Sequence, residues 1–263
     1  PRGYPLSLAF TSDSQRIVVI FGGRRLVMFH VETGAAQWSI DLPDSEYVVS
    51  IALSHDDATV ATAEQKGRVG LWDATTGTRL GELLTQTDKR VDAVAFSPTA
   101  KLLAIGCGYS VGVWDIDTQA ELWKREKTTT VTNVAFSTDG HRLAYSLLSA
   151  PKQIEIVNAS NGDLQTTVIP PHLTGVLRNA ITALAFSPDG QLLVTGDEHG
   201  IVEWHDSETG ETNSGPLGEP VEGELLGSAV SPDGALIATS GAAGTVSVWD
   251  AATARLLWTE KVS

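Results

Sequence analysis

The chain has 263 residues, of which 42% are hydrophobic and 19% are charged, so it can bury a core of ordinary size. Its 32 acidic and 18 basic residues give a formal net charge of -14. A surface this acidic repels phosphate backbones and anionic membranes, which disfavours nucleic acid or a membrane as a partner. A single cysteine, Cys107, forms no intrachain disulfide. With no apolar run of membrane-spanning length and no visible signal peptide, we expect a cytoplasmic protein.

Six related segments follow one another along the chain. Each begins with an apolar strand that ends at a serine or threonine, as in "VAFSP" at 94–98 and "LAFSP" at 184–188. The aligned hydroxyl residues are Thr11, Ser54, Ser97, Ser137, Ser187 and Ser231. A repeat of about 40 to 45 residues with four strands is typical of a propeller blade.

A second landmark lies further along each segment, where a strand ends in an acidic or polar residue. The sequence "VGLWD" ends at Asp73, "VGVWD" at Asp115 and "VSVWD" at Asp250. The last segment shows the whole unit: "LLGSAV", "ALIATS", "TVSVWD" and "RLLWTE" are separated by short turns, and the alternation of each predicts a strand. The six segments comprise residues 5–45, 46–89, 90–129, 130–179, 180–224 and 225–263.

These segments predict an all-β fold, a β-propeller of six visible four-stranded antiparallel blades. We treat residues 1–263 as one propeller domain. Strand order places two kinds of loop on one face, called here the top face. They are the loops from strand four of one blade to strand one of the next, and the loops between strands two and three of each blade. The other turns lie on the opposite face, called the bottom face.

The Trp-Asp pairs and the "AFSPDG" turn at 185–190 resemble the WD-repeat family, and the resemblance covers about residues 6–260. It is similar to the bacterial-type arrays of this family. It implies a β-propeller and a structural role for the paired residues, which are Trp72, Asp73, Trp114, Asp115, Trp249 and Asp250. Members of the family are usually noncatalytic and bind protein partners, and bacterial arrays often follow a kinase or NTPase domain.

The sequence departs from the family pattern at several positions. The Gly-His pair before the first strand is absent from all six segments, and the usual Asp between strands two and three is replaced by Lys66, His199 and Ala243. We therefore expect the blades to lack the Asp-His-Ser-Trp hydrogen-bond network. The family most often closes with seven blades, so the segment either closes with six or is an excerpt of a larger array. Its start at Pro1 favours the excerpt.

The stretch "GDEHGIVEWHD" at 196–206 has the residue types of a metal site or a general base. Aligned with the last segment, His205 takes the place of Trp249, at the end of strand three. His199 falls in the turn that precedes the same strand. About six extended residues separate the two by roughly 20 Å, which is too far for a shared metal ion. We predict no catalytic residues, no metal and no cofactor.

The top loops carry the residues that we predict to bind a partner, although solvated loops are commonly charged without binding anything. They are Arg24, Arg25, Tyr47, Lys66, Lys89, Arg90, Tyr109, Lys152, Arg178, Glu198 and His199. The cations cluster in the first four segments and the acids in the last two, which predicts a basic arc and an acidic arc. The bottom turns collect acids.

The sequence therefore predicts a noncatalytic scaffold or sensor that binds a protein or peptide on its top face, within a larger signalling protein. The alternative is a propeller enzyme of the quinone-dependent dehydrogenase or lactonase type. Such an enzyme needs polar side chains that converge from the first strands of several blades. Here those strands are small or apolar, as in "SLAF" and "ALAF", which argues against it.

Overall fold

The computed structural model describes residues 5–43, 47–149, 152–171, 180–197, 201–212, 225–230, 236–241, 245–250 and 255–261. The chain divides into two compact units, Pro1–Val131 and Thr132–Ser263. All of the named elements are β-strands. In the part of the chain that the structure describes, no helix is long and apolar enough to cross a membrane.

The first unit contains three four-stranded antiparallel sheets. Blade 1 comprises β1 (Pro5–Phe10), β2 (Arg16–Phe21), β3 (Arg25–His30) and β4 (Ala36–Asp41). Blade 2 comprises β5 (Ser50–Leu53), β6 (Thr59–Ala63), β7 (Arg68–Asp73) and β8 (Arg79–Leu84). Blade 3 comprises β9 (Val91–Phe96), β10 (Leu102–Cys107), β11 (Ser110–Asp115) and β12 (Ala120–Glu126).

The second unit carries three further sheets of the same kind. Blade 4 comprises β13 (Val131–Phe136), β14 (Arg142–Leu147), β15 (Gln153–Asn158) and β16 (Leu164–Val168). Blade 5 comprises β17 (Ile181–Phe186), β18 (Leu192–Asp197) and β19 (Val202–Asp206), and a bridge joins His205 to Thr212. Blade 6 comprises β20 (Leu225–Val230), β21 (Leu236–Gly241), β22 (Thr245–Asp250) and β23 (Arg255–Lys261).

Strands that follow one another in the chain pair antiparallel, so each blade is a meander with its first strand at one edge and its last strand at the other. Within each unit first strands of successive blades lie side by side: β1 contacts β5, β5 contacts β9 and β17 contacts β20. β17 also contacts β14, the second strand of blade 4. The all-β propeller fold is thereby confirmed. Blade 5 shows three strands among the described residues, and the segment in which a fourth is predicted extends beyond them. The grouping of residues 1–263 into one domain stays a prediction.

The turn between the first two strands is built in the same way in four blades. The hydroxyl that ends strand one donates to the Asp two residues later: Thr11 to Asp13 at 2.5 Å, Ser54 to Asp56 at 2.6 Å, Ser137 to Asp139 at 2.5 Å and Ser187 to Asp189 at 2.6 Å. The same carboxylates accept a backbone N–H from the residue just before strand two. These bonds lower the pKa of each carboxyl group, the hydroxyl having the largest effect. These four aspartates therefore stabilise the turns between the first two strands.

The turn between the last two strands repeats as well. Asp73, Asp115 and Asp206 each accept the backbone N–H and the hydroxyl of a threonine three residues later. Asn158 takes the same position in blade 4, where Ser160 donates to it. A short polar side chain that bonds to the backbone of the following residues is the usual way to fix such a turn. The residues after Asp250 lie outside the described part of the chain.

The apolar core of each unit lies between its blades. In the first unit, one cluster joins blades 1 and 2 and includes Trp72, which is 5% exposed. Another joins blades 2 and 3 and includes Trp114, which is 3% exposed. In the second unit a cluster joins blades 4 and 5 around Phe186 and Ile156. Trp249 of blade 6 is 1% exposed. Each tryptophan of a Trp-Asp pair thus contributes a large buried apolar surface.

Candidate partner-binding face

The top loops of the first unit are fixed by backbone hydrogen bonds between the turn of each blade and the chain that follows its last strand. The loop that leaves strand four of blade 1 returns to its own turn through Leu42 N to Arg24 O, at 2.7 Å, and Val48 N to Gly23 O, at 2.8 Å. Glu64 O of blade 2 accepts the N–H of Val91, the first residue of β9, at 3.0 Å, and Gly108 O of blade 3 accepts that of Val131, the first residue of β13, at 2.9 Å. A loop with its backbone groups paired in this way holds its side chains in place.

Three of the predicted residues lie next to one another on this face. Gly67, which follows Lys66, donates its backbone N–H to the carbonyl oxygen of Lys89. The side chain of Lys89 covers Gly108, where an added Cβ would lie 2.8 Å from the Lys89 Cβ and Cγ atoms. Tyr109 follows that glycine and is 53% exposed. We call Lys66, Lys89 and Tyr109 the top patch.

The backbone conformation at Lys66 projects its side chain from the turn. Its φ is 57°, in the left-handed region that non-glycine residues seldom adopt, and Gly67 has a φ of 68°. The turn is also closed by Thr85, whose backbone N–H and hydroxyl both donate to Gly67 O, at 2.9 and 3.0 Å. The surrounding bonds therefore stabilise an uncommon conformation in the loop that carries the exposed lysine.

The cations of the top face differ in their partners. Arg25 lies 3.7 Å from Asp41, and Arg90 donates from Nε to Asp92 Oδ1 at 2.8 Å. Among the described residues, neither Lys66 nor Lys89 has a carboxylate within 4.0 Å of its ammonium group. The positive charge that is available to a partner is thus concentrated in the top patch.

A second aromatic side chain packs against the top turn of blade 1. The ring of Tyr47 covers Gly23, where an added Cβ would be 2.6 Å from Cε2 of the ring. Tyr47 is nevertheless 38% exposed, and Arg24 beside Gly23 is exposed as well. An aromatic side chain that is fixed on one side and open on the other is suited to contact with a partner.

The structure differs from the sequence prediction at Lys152 of the second unit. This lysine lies at the start of β15, where the topology places it in a top turn, but it is only 2% exposed. Its side chain packs into the protein and offers no accessible charge. Arg178, Glu198 and His199 lie outside the described residues.

A buried polar network in blade 2 takes the place of the family's usual one. The indole nitrogen of Trp72 donates to the hydroxyl of Thr62 at 2.9 Å, and that hydroxyl donates to Glu64 at 2.9 Å. Glu64 is 0% exposed and lies 3.3 Å from Arg79, whose guanidinium group is 5.1 Å from the Trp72 ring centroid. Gly70 makes room for the network, because a Cβ there would be 2.2 Å from Glu64 Oε1.

The family motif does not predict this network, because its members are not those of the motif. The signal that could have revealed it is the alternation in "TVATAE" at 59–64, where Thr62 and Glu64 share one face of a strand that is otherwise apolar. The same position on strand two holds Thr239 in blade 6, which accepts from the Trp249 indole at 3.1 Å. In blade 3 it holds Ile105, opposite Gly112.

His205, the second histidine of the stretch at 196–206, is part of the blade 5 core. His205 pairs with Leu193, as Trp249 pairs with Ile237 in blade 6. It is 0% exposed, and its ring nitrogens bond to the hydroxyl oxygens of Thr195 at 2.9 Å and Thr212 at 3.0 Å. Within the described part of the chain, no group of three or more His, Cys, Asp or Glu side chains is arranged to hold a metal ion.

Two family models match different parts of the chain. Residues 6–165, more than half of the sequence, match the model PQQ_2, described as outer membrane protein assembly factor BamB. Residues 165–206 and 222–250 match the model described as WD domain, G-beta repeat. The second match contains the Trp249-Asp250 pair, and its two segments fall on blades 5 and 6.

The chain is also similar to transducin beta-like protein 3. It is 29% identical to the Bos taurus protein over 251 residues, which is 91% of this chain and 30% of that protein. It is 28% identical to the Mus musculus protein over 250 residues, or 90% of this chain and 30% of that protein. The chain thus spans about a third of the length of these relatives. It belongs to the WD-repeat β-propeller family, and its residues 6–165 belong to the family of the outer membrane protein assembly factor BamB model.

Proposed function

We propose that the chain is a noncatalytic interaction module whose top patch binds an acidic segment of a protein partner. The observation that carries this proposal is the position of two lysine side chains, both without a carboxylate within 4.0 Å in the described structure, beside the exposed ring of Tyr109. Aromatic side chains provide much of the binding energy at protein interfaces, and complementary charge guides association.

The geometry of the loops supports this function. The Lys66 turn is hydrogen-bonded to the Lys89 loop, and the Lys89 side chain covers Gly108 beside Tyr109, so the three residues are ordered before a partner arrives. An interface that is already ordered loses less conformational entropy on binding. Tyr47 and Arg24 extend the same face on blade 1 and would contact a longer segment.

Membership of the WD-repeat family supports the general assignment, since these propellers generally bind protein partners. A role within a larger signalling protein, an attached kinase or NTPase domain and a location in the cytoplasm remain parts of the proposal. The net charge of -14 supports the further expectation that nucleic acid and membranes are not partners.

A displayed library of random short peptides, selected on the purified chain, tests the proposal. We expect the selected peptides to be enriched in Asp and Glu and to contain apolar residues. Binding to the double variant Lys66→Ala, Lys89→Ala should weaken about tenfold, since each exposed charge contributes up to about 1 kcal/mol. Enrichment of basic peptides, or equal binding by the double variant, would refute the proposal.

Arg90→Ala is the matched control for the lysine variants. Arg90 follows Lys89 directly and is similarly exposed, but its guanidinium group is already engaged by Asp92. Removing it should change peptide affinity less than removing either lysine does. An equal or larger loss would show that total charge on this face decides binding, and the top patch would then have no special role.

A propeller enzyme of the quinone-dependent dehydrogenase or lactonase type remains the second candidate, because residues 6–165 match the PQQ_2 model. Two polar side chains of the first strands have another role: the Ser7 hydroxyl oxygen accepts Ile51 N at 3.2 Å, and that of Ser50 accepts Val94 N at 3.4 Å. They link neighbouring blades. Titration with a quinone cofactor such as pyrroloquinoline quinone, followed by absorbance, tests this candidate; saturable binding would support it.

A further inference from the structure

A cavity opens on the bottom face of the first unit, between blades 2 and 3. Its volume is about 280 Å³. Its walls are partly apolar, formed by Ala58, Phe96 and Ile116, and its rim carries Asp56, Lys101 and Asp117. Ligand sites usually occupy roughly 300 to 1,000 Å³, so this cavity suits a single large side chain better than a cofactor.

The walls of the cavity are fixed by the turns that surround it. Ala58 donates its backbone N–H to Asp56 Oδ1 at 3.1 Å, and its carbonyl oxygen accepts Ala74 N at 2.9 Å. Ile116 N donates to Lys101 O at 3.0 Å. Phe96 and Ile116 are half-buried and pack against the core cluster between the two blades. The cavity therefore continues the interblade core outward to solvent with its shape already formed.

The charge at the rim is predominantly negative. The ammonium group of Lys101 lies 3.0 Å from Asp117, and both side chains are more than half exposed. Asp56 accepts the Ser54 hydroxyl, and this bond, followed by the Ala58 N–H and the charge of Lys101, lowers the pKa of its carboxyl group. The rim therefore carries two carboxyl side chains against one lysine.

We propose that this cavity is a second docking site, which receives an apolar side chain from a basic segment of a protein partner. The apolar walls exclude water around the inserted side chain, and flanking arginines or lysines of the partner lie against Asp56 and Asp117. The cavity rim is acidic whereas the top patch is basic, so the two sites bind segments of opposite charge. The cavity also lies on the opposite face of the blades. It does not depend on the function proposed for that patch.

Fluorescence anisotropy with three labelled peptides tests the proposal on the whole 263-residue chain. The first peptide has one leucine flanked on both sides by arginines; the second replaces the leucine with glycine, and the third replaces the arginines with glutamates. We expect the chain to bind the first at least about tenfold more tightly than the others. Equal binding of the leucine and glycine peptides would overturn the proposal, since charge alone would then suffice. Failure of the first peptide to bind would overturn it as well.

Two variants locate the binding at the cavity. Ala100 lines it and is exposed, so Ala100→Trp fills the space, while Asp117→Asn removes a rim charge without changing size. Each should reduce affinity for the leucine peptide severalfold. Ala35→Trp and Glu32→Gln, at exposed turn positions of blade 1 on the same face, are the matched controls and should leave it unchanged.

Loss of binding in both control variants as well would contradict a site at the cavity. Asp117→Asn keeps the test valid if Ala100→Trp destabilises the fold, which thermal unfolding reveals. The double variant Lys66→Ala, Lys89→Ala should bind the leucine peptide as the unchanged chain does. That result shows that the cavity and the top patch are separate sites, so a failed prediction for one does not contradict the proposal for the other.

Discussion

Replacing Thr62 with valine tests the buried network of blade 2. Thr62 is 0% exposed, and its hydroxyl accepts from the Trp72 indole and donates to Glu64, both at 2.9 Å. Valine has nearly the same shape but can make neither bond. A buried polar group that loses its partner costs about 1–3 kcal/mol. Glu64 keeps its contact with Arg79, so we expect a total loss of about 2–4 kcal/mol.

Urea unfolding, followed by tryptophan fluorescence and circular dichroism, measures this loss. With a slope of about 2 kcal/mol per molar of urea, the unfolding midpoint should fall by about 1 to 2 M. The matched control is Ile105→Val in blade 3, which is also 0% exposed and occupies the same position opposite Gly112. Losing one buried methylene group there should cost only about 0.5–1.5 kcal/mol.

An effect of Thr62→Val no larger than that of Ile105→Val would refute the reasoning. The network would then add nothing beyond the packing of its side chains. Coincident transitions by the two probes are needed for the comparison, because separate unfolding of the two compact units would make a single midpoint ambiguous.

Three further predictions concern the glycines, an interblade arginine and the turn acids. Gly70→Ala should lower the thermal unfolding temperature by several degrees because its Cβ would overlap the network, whereas Gly81→Ala, whose nearest neighbour is 3.6 Å away, should be tolerated. Arg142→Ala should raise the hydrogen-exchange rate of β17 and β18, because Arg142 donates to Ser207 Oγ at 2.8 Å and to Gly190 O at 2.5 Å in the next blade. Unchanged exchange would show that these bonds do not stabilise blade 5. The Ser137 and Ser187 hydroxyls hold the pKa values of Asp139 and Asp189 below the unfolded value of about 3.9, so their contribution to stability is present above about pH 5 and is lost as the pH falls through 4 and below. Replacing both acids with asparagine should flatten the dependence of the urea midpoint between about pH 5 and 3, and an unchanged slope would contradict this.

The strand layout could be predicted from the sequence because each blade repeats the same local signals. "VGLWD" and "VGVWD" end at the last residues of β7 and β11, and the hydroxyl-Asp turns are fixed by residues two positions apart. The position of His205 followed from alignment with Trp249, since strand pairing keeps the register constant from blade to blade. Information of this kind is local and periodic, and one sequence contains it.

The side-chain environment of the top face was only partly predictable. The loops that carry Lys66, Lys89 and Tyr109 follow from strand order, but their contiguity depends on a bond from Gly67 to Lys89 between two separate loops. Lys152 has the same topological position and yet is buried. The ion pairs of the top face could not be predicted from the sequence either, because the carboxylate that accepts from Arg90 is determined by the folded geometry of its loop.

Contacts between blades could not be predicted at all. The bonds from Arg142 to blade 5, and from Ser12 N to Asp57 at 2.9 Å between blades 1 and 2, join residues more than 40 positions apart. Asp57 lies beside Asp56 in the same turn, but Asp56 closes that turn while Asp57 contacts the previous blade. The sequence shows two adjacent acids and gives no sign of their different roles.

Hydrogen exchange of the chain with and without an acidic peptide selected on it tests the central claim most directly. We predict slower exchange in the turns at 64–67 and 108–110 and in the loop at 85–90, which together carry Lys66, Lys89 and Tyr109. The rest of the first unit should exchange as before. Protection confined to the bottom turns, or to residues outside these three segments, would contradict the assignment of the top patch as the partner-binding site.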